Sequence, residues 1–313
     1  MLLFASRRLL QALPILFGVS LVVFALVHMV PGNVIDLMVP PEAPPALIAK
    51  MKAELGFDRP LYIQYLIWLT HALVGNFGTS AFSGQPVAGE LLTALGNTML
   101  LAVPAALLGF ALGATLGMLA GWNGGRWTDK LFSAIAITGV SLPHYWFAII
   151  LVMIFSVFFN FLPAQGMGDA GFPTSWDQMQ HLILPVVTMA MIPMGVVARI
   201  VRASVLDVLG KEFIGALDAK GLRARRILRH VIKNAAPPVL AVMGLQFGYL
   251  VGGSILIETV FNWPGCGHLL NLAIFRRDIP EVQACVIVLA FLFVVLNLTV
   301  DIGQAMIDPR IRR

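Results

Sequence analysis

The sequence predicts an all-α integral membrane protein, a polytopic bundle of about six transmembrane helices with both termini in the cytosol. Composition is the first observation behind it. Of 313 residues, 58% are hydrophobic and 12% charged, with a mean hydropathy of +0.86, where soluble domains carry about 25% charged residues. The second is the spacing of charge. Asp, Glu, Lys and Arg are absent between Arg8 and Asp36, Glu90 and Arg126, Lys130 and Asp169, Asp177 and Arg199, Lys233 and Glu258, and Glu281 and Asp301. Each gap is long enough for the roughly 20 apolar residues that cross a hydrocarbon core as a helix. Unpaired backbone amides cannot face lipid, so closed helices are required.

The first span follows Arg7 and Arg8 and resembles a secretory signal, but its apolar stretch is too long and no A-x-A-like site follows over His28 to Asn33, so it reads as retained. The third gap holds a helix and a Gly/Pro-rich loop from Leu162 to Pro173. Pro104, Pro143, Pro185 and Pro193 fall within spans, where neighbouring helices can re-satisfy freed carbonyls and a kink can serve as a hinge. Two cysteines, Cys266 in an outside loop and Cys285 in a span, imply no disulfide framework.

Charge supplies the orientation. With the N-terminus inside, sixteen of the 21 Lys and Arg residues lie on cytosolic segments and five (Lys50, Lys52, Arg59, Arg276, Arg277) outside, the asymmetry expected of an N-in, C-in chain. The net charge of +5 is distributed to face anionic lipid headgroups, and it forms no base-reading module, so no nucleic-acid partner is expected.

Two connections are too long for simple turns. The outer one, from Pro31 to about Asn97, contains Pro40, Pro41, Pro44 and Pro45, a helical patch over Ala46 to Leu55, and an aromatic face of Tyr62, Tyr65 and Trp68 suited to the membrane interface or to a docking partner. The inner one, about Val201 to Ala236, is basic. Glu212 to Lys220 reads as a short helix closed by Gly221 at a position needing φ > 0. Leu228, Val231, Ile232 and Ala235 then form the apolar face of a second helix, expected on the membrane surface, with Arg226, Arg229, His230 and Lys233 opposite. Such an element either binds headgroups or serves as a lever for a cytosolic partner.

The run Glu212-Phe213-Ile214-Gly215-Ala216-Leu217-Asp218-Ala219-Lys220-Gly221-Leu222, with Arg229-His230 and Asn234-Ala235, resembles the EAA loop of permease subunits in binding-protein-dependent ABC importers. Its Ala-Lys-Gly-Leu form is similar to the dipeptide, oligopeptide and nickel branch. Leu55-Gly56-Phe57-Asp58-Arg59-Pro60 with Gln64-Tyr65 and Trp68, Glu258-Thr259-Val260-Phe261-Asn262-Trp263-Pro264-Gly265-Cys266-Gly267 with Arg277-Asp278-Ile279-Pro280, and Asp308-Pro309-Arg310 agree with that branch. Gly215 stands where the wider superfamily places the Glu that names the motif, and Asn76 where an Asp is common.

The resemblance implies an N-terminal helix and external loop region over residues 1–95, and a permease domain of five spans over 96–313. It implies a permease forming the path for small peptides or related solutes by alternating access. The implied partners are a second homologous permease, two ATPase subunits holding ATP-Mg, and an external solute-binding protein, in a bacterial inner membrane. Glu212, Phe213, Ala216, Asp218, Ala219, Lys220, Gly221 and Leu222 would make the ATPase-coupling element. No cofactor or metal is expected in this chain.

Ionisable groups within spans are functional candidates by default. His28 and Glu258 fall near outer ends of spans and His144 nearer a middle. For His144 and Glu258 two readings stand, a place on the translocation path or a helix–helix hydrogen bond. Asp301 is expected to be paired. The 14 methionines, densest at Met189, Met191 and Met194, read as packing residues, because a thioether path would select Cu(I). A secondary transporter or channel is the alternative, but it would more often show charges inside spans and a repeat between halves. An embedded enzyme is disfavoured by the lack of H-E-x-x-H and G-x-S-x-G motifs, and without G-x-x-x-x-G-K-S/T the chain cannot itself be the ATPase.

Overall fold

The charge-free stretches fold largely as helices, some extending well beyond the charges that bound them. A computed structural model describes residues 2–29, 44, 59–168, 173 and 175–307. The expected helical patch over 46–55 and the motif residues at 55–58 and 308–310 lie outside the described residues. The elements are α1 (Leu2–Met29), α2 (Leu61–Leu73), α3 (Val87–Trp122), α4 (Trp127–Ser141), α5 (His144–Leu151, continuing as a π-helical turn Val152–Phe158), α6 (Trp176–Leu209), α7 (Glu212–Ala219), α8 (Ala224–Gly253), α9 (Ile255–Val260), α10 (Cys266–Arg276) and α11 (Ile279–Ile307).

Five helices, α1, α3, α6, α8 and α11, are long and apolar enough to cross a membrane, and the bent pair α4 and α5 brings the number to six if counted as one span. That pair corrects the expectation of a single helix with Pro143 inside it. The chain turns by 98° between α4 and α5. Proline disfavours helical geometry in the residue before it. Leu142 is accordingly extended (φ −80°, ψ 129°), and Pro143 stands at the N-cap of α5. Pro104, Pro185 and Pro193 do lie inside helices.

The long connections are shorter than expected, because polar residues at their edges extend the helices into water instead of ending them. The outer one stops at Val87, and α3 runs unbroken through position 95. The inner one shrinks to residues 210–223, and the amphipathic segment is no separate surface helix. It forms the first turns of α8 and continues through Pro237 and Pro238 into the apolar half. The carbonyls these prolines leave free belong to exposed Lys233 and Asn234, where water can satisfy them. The buried face of these turns also differs from expectation. It is Ile227, Val231, Ala235 and Val239, while Ile232 is 48% exposed.

Within lipid no hydrophobic effect draws helices together, so close packing of small residues does. Gly109, Gly113, Gly117 and Gly121 stripe one face of α3 against Ala190, Met194, Ala198 and Val205 of α6. A β-carbon at Gly113 would lie 2.6 Å from the Met194 carbonyl oxygen. This is the most extensive interface of the bundle. At the end of this interface nearer Leu209, Arg202 of α6 donates from Nε and Nη2 to both carboxylate oxygens of buried Asp129 on α4, at 2.6 and 2.8 Å. Helix α6 begins with a capping box, Ser175 and Gln178 exchanging side-chain and backbone hydrogen bonds.

Helix α1 docks at the rim. Its Arg8 pairs with Asp301 of α11 at 3.1 Å, as expected for Asp301. Its Ser20 hydroxyl lies 2.8 Å from the Tyr65 hydroxyl of α2, and His28 lies 3.3 Å from Gln64. Tyr65 and Trp68 pack against Phe24, so two of the three predicted aromatics clasp α1, and Tyr62 is left exposed.

Candidate functional site

Three features along the bundle bear on function: a short helix at one end, a cavity between helices, and a carboxylate latch at the other end.

The short helix is α7, matching the predicted segment. Its turn is a Schellman motif. The N–H of Leu222 reaches the Leu217 carbonyl (3.2 Å) and that of Gly221 the Asp218 carbonyl (2.8 Å), with Gly221 at φ +74°, where a β-carbon is penalised. Ile214, Leu217 and Leu222 anchor α7 to a core of Val201, Val205 and Val208 from α6 and Ile227 and Val231 from α8. Ile214 and Leu217 were not singled out from sequence, although their spacing on an eight-residue helix was the available signal. The outward face carries Glu212, Phe213, Ala216, Asp218, Ala219 and Lys220, all exposed. Space around Gly215 is open, so a Glu would fit there and nothing steric selects glycine. Asn76 plays the part an Asp would, accepting the Gly78 N–H at 3.1 Å.

The cavity, about 100 Å³, lies among α5, α6, α8 and α9. His144, Thr188, Gln246 and Tyr249 supply its polar atoms, and Met189, Ile192 and Pro193 part of its apolar wall. The sequence singles out His144, for the path or for a helix–helix hydrogen bond, and the structure places it on this cavity wall. Gln246 was not singled out, although an amide in the charge-free stretch from Lys233 to Glu258 was a legible signal.

At the opposite end from α7, Glu258 is wholly buried. Its Oε1 accepts from the Thr98 hydroxyl (2.8 Å), and its Oε2 from the N–H groups of Gly267 (2.7 Å) and His268 (3.0 Å). Those amides open α10, where orphan donors and the helix dipole favour an anion. Gly265 is required there, since a β-carbon would sit 2.5 Å from the Glu258 carboxylate. Trp263 caps the arrangement, donating its indole N–H to the Asn97 carbonyl at 2.9 Å. Glu258 thus fastens α9 and α10 to α3, and it is absent from the cavity that His144 lines.

Beside it Cys266 is the first residue of α10, not a loop residue as expected, and both cysteines are free and buried. Burial, then the neighbouring Glu258 charge, pushes the Cys266 thiol up to about 12. Burial likewise holds His268 below the usual histidine range, opposed by the Glu258 charge. Asp278 is a second fastener that sequence reasoning left without a role. It accepts from the Ser80 hydroxyl (2.5 Å) and the Phe82 N–H (3.0 Å), and it caps α11 through the Glu281 N–H (3.3 Å). Among the described residues no group of His, Cys, Asp and Glu is placed to hold a metal ion.

This architecture is a multi-pass helical membrane bundle with an exposed helix slung between two of its long helices. The chain belongs to the family described as binding-protein-dependent transport system inner membrane component, which it matches over residues 113–313, with the family's N-terminal component over 1–98. It is 36% identical to the dipeptide transport system permease protein DppB of Alkalihalophilus pseudofirmus, covering all of both chains. It is 39% identical to the glutathione transport system permease protein GsiC of Salmonella typhimurium and of Escherichia coli, covering all of this chain and 99% of each relative. The fold resembles the MetNI methionine ABC transporter in inward-facing conformations, with a TM-score of 0.57 at 17% identity over 70% of this chain and 96% of that one. It also resembles an amino acid ABC transporter, with a TM-score of 0.50 at 16% identity over 71% and 94%. The chain is therefore a multi-pass permease subunit of an ABC importer, a transport component and not a catalytic subunit.

Proposed function

We propose that this subunit moves small peptides or related solutes inward by alternating access, driven by ATP-Mg hydrolysed in two separate ATPase subunits. The observation that carries the reading is α7. Its inner face is locked to the ends of α6 and α8, so a displacement of its exposed face moves two spans together. Glu212, Phe213, Ala216, Asp218, Ala219 and Lys220 make the surface an ATPase would grip, and Gly221 and Leu222 hold its angle. The other partners are a second homologous permease and an external solute-binding protein, in a bacterial inner membrane with N- and C-termini cytosolic. Residues 1–95 serve as an N-terminal anchor and outer loop region, and 96–313 as the permease domain proper. His144, with Gln246 and Tyr249, lines the path, and Glu258 holds the outer end in register. Names of full-length relatives concerned with dipeptide and glutathione transport support the solute class.

The test is a cysteine at Ala216 in the purified assembly. It should cross-link to an ATPase subunit, and reconstituted vesicles should accumulate dipeptide only with ATP. Uptake by the chain alone, driven by a proton gradient, would overturn the reading.

A further inference from the structure

A second cavity, about 290 Å³, opens between α3, α4 and α6 toward the end of the bundle that carries α7. Leu116, Phe132 and Ile137 contribute apolar wall, and Arg199, Arg202 and Ser133 stand on the polar side. Its size is at the low end of small-ligand pockets, roughly 300 Å³. Its depth in the bilayer follows from charge. The 21 residues from Gln178 to Ala198 hold no Asp, Glu, Lys or Arg, a helical length of about 30 Å, which is the thickness of a hydrocarbon core. Arg199 therefore emerges at headgroup level, with Arg126 and Lys130 at the matching end of α4.

The two arginines are unequally occupied. Arg202 spends Nε and Nη2 on Asp129, which neutralises it, and among the described residues nothing engages its Nη1. Arg199 makes no hydrogen bond or ion pair among the described residues and is exposed. A free guanidinium beside the Nη1 donors of a second, above an apolar slot between helices, matches a phosphate ester with an attached hydrocarbon chain. Guanidinium is weakly hydrated, and its planar donors fit phosphate oxygens.

We propose that the α3–α4–α6 cavity binds a phosphate ester through Arg199 and Arg202, in the form of an anionic phospholipid headgroup whose acyl chain lies along Leu116, Phe132 and Ile137. The site is separate from the cavity lined by His144 and does not depend on which solute is carried.

Native mass spectrometry of the full chain, purified in detergent with its bound subunits, tests this with phosphatidylglycerol, phosphatidylcholine and inorganic phosphate as probes. Phosphatidylglycerol should be retained, and phosphatidylcholine should not displace it. Loss of a charge-assisted contact in Arg199→Gln should lower retention about tenfold. Arg199→Lys, which keeps the charge but loses the planar fork, should retain an intermediate amount. Displacement by millimolar inorganic phosphate would keep the phosphate chemistry and overturn the lipid as its source. Equal phosphatidylglycerol retention in wild type and Arg199→Gln, or none in wild type, would overturn the proposal. Arg199 is exposed and bonded to nothing described, so its variants are expected to fold.

Discussion

At the residue scale, the turn after α7 depends on the left-handed geometry of Gly221. A β-branched side chain at Gly221 must adopt left-handed geometry, costing about 1–2 kcal/mol, and it opposes the Schellman hydrogen bonds that set the angle between α7 and α8. Gly221→Val is expected to insert normally and leave ATP hydrolysis measurable, while ATP-driven uptake falls about tenfold. Normal uptake would sink the coupling role. Glu258 makes the opposite prediction. Glu258→Ala leaves the Thr98 hydroxyl and two α10 amides without their acceptor, so thermal unfolding in detergent should report a loss of about 2–4 kcal/mol. Unchanged stability with lost uptake would instead place Glu258 on the path. Sequence spacing located both residues. It could not show that the Glu258 partner is Thr98, 160 positions away, because hydropathy carries no information about which helices touch.

At the element scale, the glycine stripe of α3 makes α3 and α6 move as one piece, and the Asp129–Arg202 pair adds α4. On the proposed reading, a displacement of α7 would reach α8 directly and, through α6, also α3 and α4. Gly117→Val would drive a side chain into the Ala198 carbonyl and Val201, an overpacking expected to cost about 2–3 kcal/mol. Gly96→Ala, on the same helix but facing open space, should be neutral or slightly stabilising. Thermal melts of the two variants read the difference, and equal losses would mean that helix propensity, not packing, is being measured. Helix existence along this chain was legible in the charge gaps. Helix ends were not. Val87, Leu209 and Ala224 begin or end helices well outside the apolar windows, because backbone hydrogen bonds persist in water where charged side chains are solvated. The bend at Leu142 was half legible, since Pro143 marked the place but not that the chain would turn by 98°.

At the scale of the whole molecule, orientation is the property most open to a direct check. A cysteine replacing exposed Lys220 should react with an impermeant maleimide only from the cytosolic face, and one replacing exposed Asn262 only from outside. The native cysteines should stay silent, both being buried and the Cys266 thiol being held protonated at working pH. The reverse labelling pattern would invert the topology and with it the docking role of α7.

Composition and charge spacing by themselves determined that this chain crosses a membrane several times, which stretches of it are apolar enough to do so, and that a basic helix–glycine–helix element joins two of them. These are properties of local transfer free energy and backbone geometry, which a linear sequence contains. Only the tertiary structure decided that Ile227 rather than Ile232 turns inward, that Glu258 is a latch, that Gln246 and Tyr249 meet His144, and that Arg199 stands over an apolar slot. Each of those depends on which helix faces which, and in lipid that choice rests on the shape of small-residue stripes and on a few buried hydrogen bonds, not on hydrophobicity.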